Sequence, residues 1–118
     1  MRYSELVTDH FEHPRNVATA AGGRVGRAGD RRRGAIVEFY LELDNGRVAS
    51  LRFRAWGCPH TIAVASWLTG ALADREQQTL LPLELDNIAT ELGLPTDKWH
   101  CILTAEDALR AALEEKDS

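Results

Sequence analysis

Two alternating runs of residues meet at a short turn signal in the middle of this chain, and no other feature restricts the fold as strongly. Residues 35–43 (Ala-Ile-Val-Glu-Phe-Tyr-Leu-Glu-Leu) place Val37, Phe39, Leu41 and Leu43 on one face of a strand and Glu38, Tyr40 and Glu42 on the other. Asp44-Asn45-Gly46 follows, and its Asn-Gly pair accepts the positive φ values that a tight hairpin needs. The return run, about residues 47–55, sets Leu51, Phe53 and Ala55 one way and Arg52 and Arg54 the other, where the arginines can meet Glu38 and Glu42 across the strands. An antiparallel sheet of two or three strands with one apolar face is not stable alone, so other elements must cover it.

The cover is expected from the second half of the chain. Residues 61–73 are rich in Ala, Ile, Val, Trp and Leu and read as a well-buried helix. Residues 83–92 fit a further helix stopped by Gly93 and Pro95, and residues 97–116 a final one with Ile102, Ala105, Leu109, Ala112 and Leu113 as its apolar stripe. Near the start, Tyr3 to Phe11 reads as a short amphipathic helix capped by Ser4, with Pro14 closing the pattern. Residues 16–34 show no sustained period and read as a long loop with one edge strand near residues 24–28. Strands first and helices afterwards make the class α+β: about three antiparallel strands packed against C-terminal helices, in one domain over residues 1–118.

The 118 residues hold enough apolar material, 44%, for one core. No apolar stretch approaches the ~20 residues that span a bilayer, and Met1-Arg2-Tyr3-Ser4-Glu5 lacks the apolar region of a signal peptide, so a cytoplasmic protein is expected. Two cysteines are too few for a disulfide framework, which leaves Cys58 and Cys101 as reduced thiols. The net charge of −4 argues against a nucleic-acid partner, although residues 1–60 carry 10 Lys/Arg against 7 Asp/Glu and residues 61–118 carry 4 against 11. Most of the positive excess is Arg24, Arg27, Arg31, Arg32 and Arg33, set among glycines: a solvated loop in the plain reading, a seat for an acidic partner in the sharper one.

The candidates for chemistry lie at the ends of elements. Cys58 follows Gly57 where the second hairpin strand ends, and Pro59 opens a helix whose N-terminus favours a thiolate. Cys101 lies 43 residues on, directly after His100, near the start of the last helix. Adjacent helical residues diverge by ~100°, so joint ligation by His100 and Cys101 needs an irregular first turn. Without a Cys-x-x-Cys pair, the commoner fate of two isolated cysteines is an inert place in the core. His60 beside Cys58 reads first as a hydrogen-bonded surface residue, His10 and His13 as solvated, and the three tryptophans as core. No Ser/His/Asp spacing, nucleophile elbow or phosphate loop is present, which points to a binding protein rather than an enzyme.

Four segments together resemble the IscU/NifU N-terminal family of iron–sulfur cluster assembly scaffolds. Tyr3-Ser4-Glu5 through Asp9-His10-Phe11-Glu12-His13-Pro14-Arg15-Asn16-Val17 is similar to the family's opening helix and its His-Pro-Arg-Asn stretch. Arg52-Phe53-Arg54-Ala55-Trp56-Gly57-Cys58 resembles the strand that ends in the second cluster ligand. Leu94-Pro95-Thr96-Asp97-Lys98-Trp99-His100-Cys101 resembles the Leu-Pro-Pro-Val-Lys-x-His-Cys segment, and Ala105-Glu106-Asp107-Ala108 follows in the final helix. The resemblance implies an IscU/SufE-like fold and a scaffold that takes sulfur from a cysteine desulfurase and iron from a donor. Such a scaffold builds a [2Fe–2S] cluster and passes it to apo iron–sulfur acceptor proteins with help from Hsp70/J-type chaperones; members also bind zinc. By position it makes Cys58, His100 and Cys101 the ligands, with Cys101 the acceptor of sulfur.

The departure from the family pattern is as informative. The family's Ala-Cys-Gly-Asp motif supplies a first cysteine and an aspartate, and gapless extension back from Gly46 places Arg32 and Gly34 at those two positions. Arginine has no lone pair to donate. Asp30, if the loop shifts, and His60 are the further candidate ligands. A [2Fe–2S] cluster on one chain takes four ligands, so three suit a single Fe²⁺ or Zn²⁺, or a labile cluster completed by a partner or small thiol. Thr96-Asp97 in place of Pro-Val predicts weakened chaperone binding by residues 94–98. Two alternatives stand beside this reading. One is a zinc-modulated persulfide carrier or sulfur transferase, as SufU relatives suggest, although the insertion those relatives carry before the last ligand pair is absent; the other is a regulatory paralogue that occupies a desulfurase without building anything.

Overall fold

A computed structural model describes residues 3–20 and 22–115. The chain runs α1 (Glu5–Glu12), β1 (Arg24–Asp30), β2 (Ala35–Asp44), β3 (Arg47–Trp56), α2 (Pro59–Ala71), α3 (Leu85–Leu92) and α4 (His100–Glu114), with single 3₁₀ turns at Gln77–Thr79 and Thr96–Lys98. The α+β class follows: one antiparallel sheet in the order β1-β2-β3 with the helices against it. The expected end of the last helix at Lys116 lies outside the described residues.

The hairpin forms as its alternation requires. Asn45 and Gly46 take φ of 52° and 76°, and β2 pairs with β3 from Asp44 opposite Arg47 to Ile36 opposite Trp56, with a bulge between Glu42 and Leu43. Val37, Phe39 and Leu41 are fully enclosed, joined by Leu51 and Phe53 from β3. Across the same core, α4 lies on β1 and β2, and α2 lies on β3. Burying each large side chain of this set contributes ~1.5–3 kcal/mol, which is what a sheet of three strands lacks on its own. Ser4 caps α1 by accepting the Val7 N–H at 3.1 Å, and Gly93, with φ of 63°, ends α3.

The other face of the sheet departs from expectation. Tyr40 is buried, its hydroxyl donates to Glu38 Oε1 at 2.9 Å, and the Arg54 guanidinium stands 5.8 Å from its ring centre. Glu38 is therefore held by Arg27 at 3.1 Å rather than by Arg54, while Arg52 does meet Glu42, at 3.6 Å. Arg54 instead donates to the Ala18 carbonyl at 3.2 Å.

The edge strand expected near residues 24–28 is present and runs on to Asp30 as β1, so less of residues 16–34 is loop than the missing period suggests. The first glycine of β1 answers to a helix rather than to a period of two. A methyl group on Gly26 would strike the Ala108 carbonyl and the Ala112 amide of α4, so the helix rests directly on the strand backbone. Further back, residues 16–18 run along β3, with Phe53 N–H donating to Asn16 O at 3.0 Å and Ala18 N–H to Phe53 O at 2.8 Å. The connection after α2 does the same lower down, where Val48 N–H donates to Arg75 O at 2.9 Å and Gln77 N–H to Gly46 O at 2.7 Å.

His10 is not simply solvated. Its Nδ1 lies 2.8 Å from Ser66 Oγ of α2, which also accepts the Arg15 N–H at 2.9 Å, and Asn16 donates to Thr69 Oγ1 at 3.0 Å. The buried hydroxyls of α2 thus anchor the His10–Asn16 stretch. Among the tryptophans only Trp67 and Trp99 are partly buried; Trp56, the last residue of β3, is 51% exposed. No helix among the described residues is long and apolar enough to cross a membrane.

Candidate functional site

The chemistry gathers where three element ends meet: the end of β3, the N-terminus of α2 and the first turn of α4. Cys58 is the residue before α2, with Pro59 at the first helical position, where the missing N–H costs nothing. Gly57 permits a close approach, because a Cβ there would stand 2.9 Å from the Gly34 carbonyl oxygen. The turn after β1 therefore sits beside the start of α2. Opposite, the 3₁₀ turn Thr96–Lys98 feeds Trp99 into α4, whose first two residues, His100 and Cys101, are already helical.

Cys58 is half-buried and Cys101 wholly buried, and both are free thiols. They meet through a residue that sequence reasoning passed over. Thr61 Oγ1 lies 3.6 Å from Cys58 Sγ and 3.5 Å from Cys101 Sγ. On the far side, His100 Nε2 is 3.8 Å from Cys101 Sγ, with His100 itself exposed. The signal for Thr61 was its spacing, three residues after the cap of a helix and so on the same side as Cys58.

The two thiols are electrically unlike. Burial pushes Cys58 up, but the backbone N–H and the hydroxyl of Thr61, the N–H of His60 and the Lys98 charge outweigh it and lower its pKa overall. Burial raises Cys101, the Thr61 hydroxyl partly opposes this, and Cys58 adds to the rise. Cys58 is thus the more acidic of the two thiols.

The remaining candidates, His60 and Asp30, make no side-chain hydrogen bond to this pair. His60 is 1% exposed, its ring 4.9 Å from that of Tyr3, and neither ring nitrogen has a hydrogen-bond partner; it is no surface residue. Burial, with Lys98 adding to it and Asp97 opposing, lowers its pKa and keeps it neutral. Asp30 turns into its own hairpin, accepting the Arg33 N–H at 2.8 Å. Arg31, Arg32 and Arg33 stand exposed on that turn, and Arg31 helps line a hollow of about 210 Å³ that runs to Trp56 and Gly57. Among the described residues no group of three or more His, Cys, Asp or Glu side chains is drawn together tightly enough to hold a metal ion. What the fold provides is a thiol pair bridged by a hydroxyl, with an imidazole beside one thiol. That is a soft donor set, suited to zinc or iron once its members converge.

The sequence matches the NifU-like N-terminal domain over residues 2–117. It is 35% identical over 130 residues to the iron–sulfur cluster assembly scaffold protein IscU of Escherichia coli K12, covering 100% of this chain and 96% of that protein. It is 33% identical over 120 residues to the IscU scaffold of Haemophilus influenzae, covering 98% and 95%. Among solved structures, a putative iron–sulfur cluster assembly scaffold for the SUF system from Fervidobacterium islandicum superposes with a TM-score of 0.78 at 16% identity, covering 95% of this chain and 96% of that one. The N-terminal part of a nitrogen-fixing NifU-like protein from Brucella abortus gives 0.57 at 14% identity, covering 93% and 79%.

Proposed function

The chain belongs to the NifU-like N-terminal domain family, and from that membership we propose that it serves iron–sulfur cluster assembly as a scaffold-type, non-enzymatic protein whose cargo is iron, zinc or a labile [2Fe–2S] cluster. Cys58, Cys101 and His100 are the proposed ligands. The observation that carries this reading is the convergence of two distant thiols on Thr61, with the His100 imidazole 3.8 Å from the second. A cation arriving between the sulfurs would take up their electron pairs as the thiol protons leave, and the exposed His100 would swing in as the third donor. Arg32 stands exposed on the turn where the family carries a cysteine, so the fourth donor comes from outside the chain: a partner, a small thiol or water.

Residues 1–118 act in this proposal as one domain that receives sulfur from a cysteine desulfurase and delivers to apo iron–sulfur proteins. Pro95, Thr96 and Asp97 are exposed, as a chaperone segment must be, but Asp97 brings a charge that weakens the Hsp70/J-type contact. Iron–sulfide reconstitution of the isolated chain, followed by absorption spectroscopy, tests the ligand count. A substoichiometric or easily lost cluster is expected; a stable cluster at one per monomer would overturn the three-ligand reading.

A second reading is favoured by the unlike thiols. A lowered Cys58 beside a raised Cys101 suits a persulfide carrier, in which the Cys58 thiolate takes the outer sulfur of a desulfurase persulfide and leaves a thiolate on the donor. Mass spectrometry after incubation with a desulfurase would then find a gain of roughly 32 Da on Cys58 that moves to an acceptor.

A further inference from the structure

Thr61 is placed as no structural threonine needs to be. It is 1% exposed, and among the described residues both hydrogen-bond contacts of its hydroxyl go to sulfur. A helical threonine can return its hydroxyl to a carbonyl of the preceding turn. Two others in this chain do so: Thr69 donates to Ser66 O at 2.6 Å and Thr104 to His100 O at 3.0 Å. Thr61 instead aims across to α4. Its rotamer is held from behind, because a Cβ on Gly57 would lie 3.1 Å from Thr61 Oγ1 and 3.2 Å from its Cβ; the glycine leaves the room this side chain fills. A β-branched residue so packed keeps one χ1.

We propose that Thr61 is the positioning residue of the thiol pair, its hydroxyl setting the relative orientation in which Cys58 and Cys101 take up a metal cargo. The inference rests on the metal-cargo reading above. A hydroxyl carries one proton and two lone pairs, so it can accept from the Cys101 S–H while donating to Cys58. That bridge joins the start of α2 to the first turn of α4, beside the direct contact of the two thiols. When both sulfurs become thiolates around a metal, the hydroxyl no longer accepts and keeps a single donated bond. It then acts as the outer partner that orients a ligating sulfur, a role whose removal typically weakens metal affinity ~10–100-fold.

Cobalt(II) is the probe, since thiolate ligation gives it a charge-transfer absorption that follows sulfur directly. The full chain is titrated anaerobically as wild type, Thr61→Val and Thr61→Ser. Valine keeps the branched shape and loses the hydroxyl; serine keeps the hydroxyl. Wild type is expected to develop the thiolate–cobalt band, Thr61→Val to bind ~10–100-fold more weakly, and Thr61→Ser to recover most of the loss. Thermal unfolding of the metal-free proteins separates positioning from folding, because the affinity loss must appear where the Val and Ser variants unfold alike. Equal affinity in wild type and Thr61→Val, or a Ser variant as weak as Val, overturns the proposal while leaving the metal-cargo reading intact. A wild type that never develops the band overturns that reading, and this inference with it.

Discussion

Replacing Gly26 by alanine should unseat α4, the helix that carries His100 and Cys101. The backbone of Gly26 is not at positive φ, so alanine is torsionally acceptable there and only the contact matters. The added methyl would overlap the Ala108 carbonyl and the Ala112 amide, both rigid backbone, so the helix has to lift. Its buried stripe includes Ile102, Ala105, Ala108, Leu109 and Ala112, all within 1% of full enclosure. Ile102 and Leu109 at ~1.5–3 kcal/mol each, with ~0.8 for each alanine methyl, put that stripe near ~7 kcal/mol. A gap of 0.5–1 Å forfeits roughly a quarter to a half of the contact energy, or ~2–3.5 kcal/mol, from which the stiffer unfolded chain returns ~0.4–1. Urea unfolding of the metal-free protein should therefore show a loss of ~1–3 kcal/mol, and a loss at the middle of that range would lower the thermal midpoint by roughly 6–12 °C. Gly70→Ala is the counterpart. It is exposed on α2 with nothing within 4 Å of the new methyl, so it should gain ~0.5–1 kcal/mol. If Gly26→Ala unfolds within 0.5 kcal/mol of wild type (roughly the scatter of a neutral surface change), α4 is not seated on the strand as described and the reasoning fails.

Arg32→Cys would put a thiol on the turn beside Gly57, and reconstitution should then yield a more stable cluster than wild type; no change in cluster lifetime would remove this turn from the site. Burial, with Arg15 adding and Asp9 opposing, depresses the pKa of His10. As pH falls below the ordinary value near 6.5, the unfolded chain takes up a proton that the folded chain resists, so stability falls with pH. His10→Gln should flatten that loss between pH 7.5 and 5.5 in urea titrations, and an unaltered slope would contradict it. A peptide of residues 94–98 should bind an Hsp70-type chaperone more weakly than its counterpart carrying Pro-Val at positions 96 and 97, by roughly a factor of ten if the Asp97 charge is the main cost; equal affinities in fluorescence titration would refute the role given to Asp97.

The hairpin was legible because every signal for it is local: alternation, a turn dipeptide and cross-strand charges. The caps at Ser4 and Gly93 were legible for the same reason. The strand over residues 24–28 was legible, but the reason for Gly26 within it was not, since that glycine is explained by a helix more than eighty residues away and no window along the chain contains both. Arg54 was misassigned because a charge opposite a carboxylate in register is a pairing rule, whereas Tyr40 and the Ala18 carbonyl compete for it in three dimensions. The docking of His10 and Asn16 had a readable clue in Ser66 and Thr69, two hydroxyls three residues apart in the largely apolar second half of α2 that had to find partners. In the site, Cys58 and Cys101 could be named from the chain. The hydroxyl joining them could not, because Thr61 gains its meaning from Cys101, forty residues downstream.

The sheet ends differently on its two sides. Along β3, residues 16–18 and 74–77 occupy backbone groups that a foreign strand would otherwise find vacant. β1 is the terminal strand on the other side, and Arg27 lies on it with Arg31, Arg32 and Arg33 in the turn that follows. Two molecules brought together along β1 would confront like charges at short range, so the arginines guard against aggregation through strand addition. The cationic run that reads in the sequence as a stray basic loop thus also keeps this small sheet from growing.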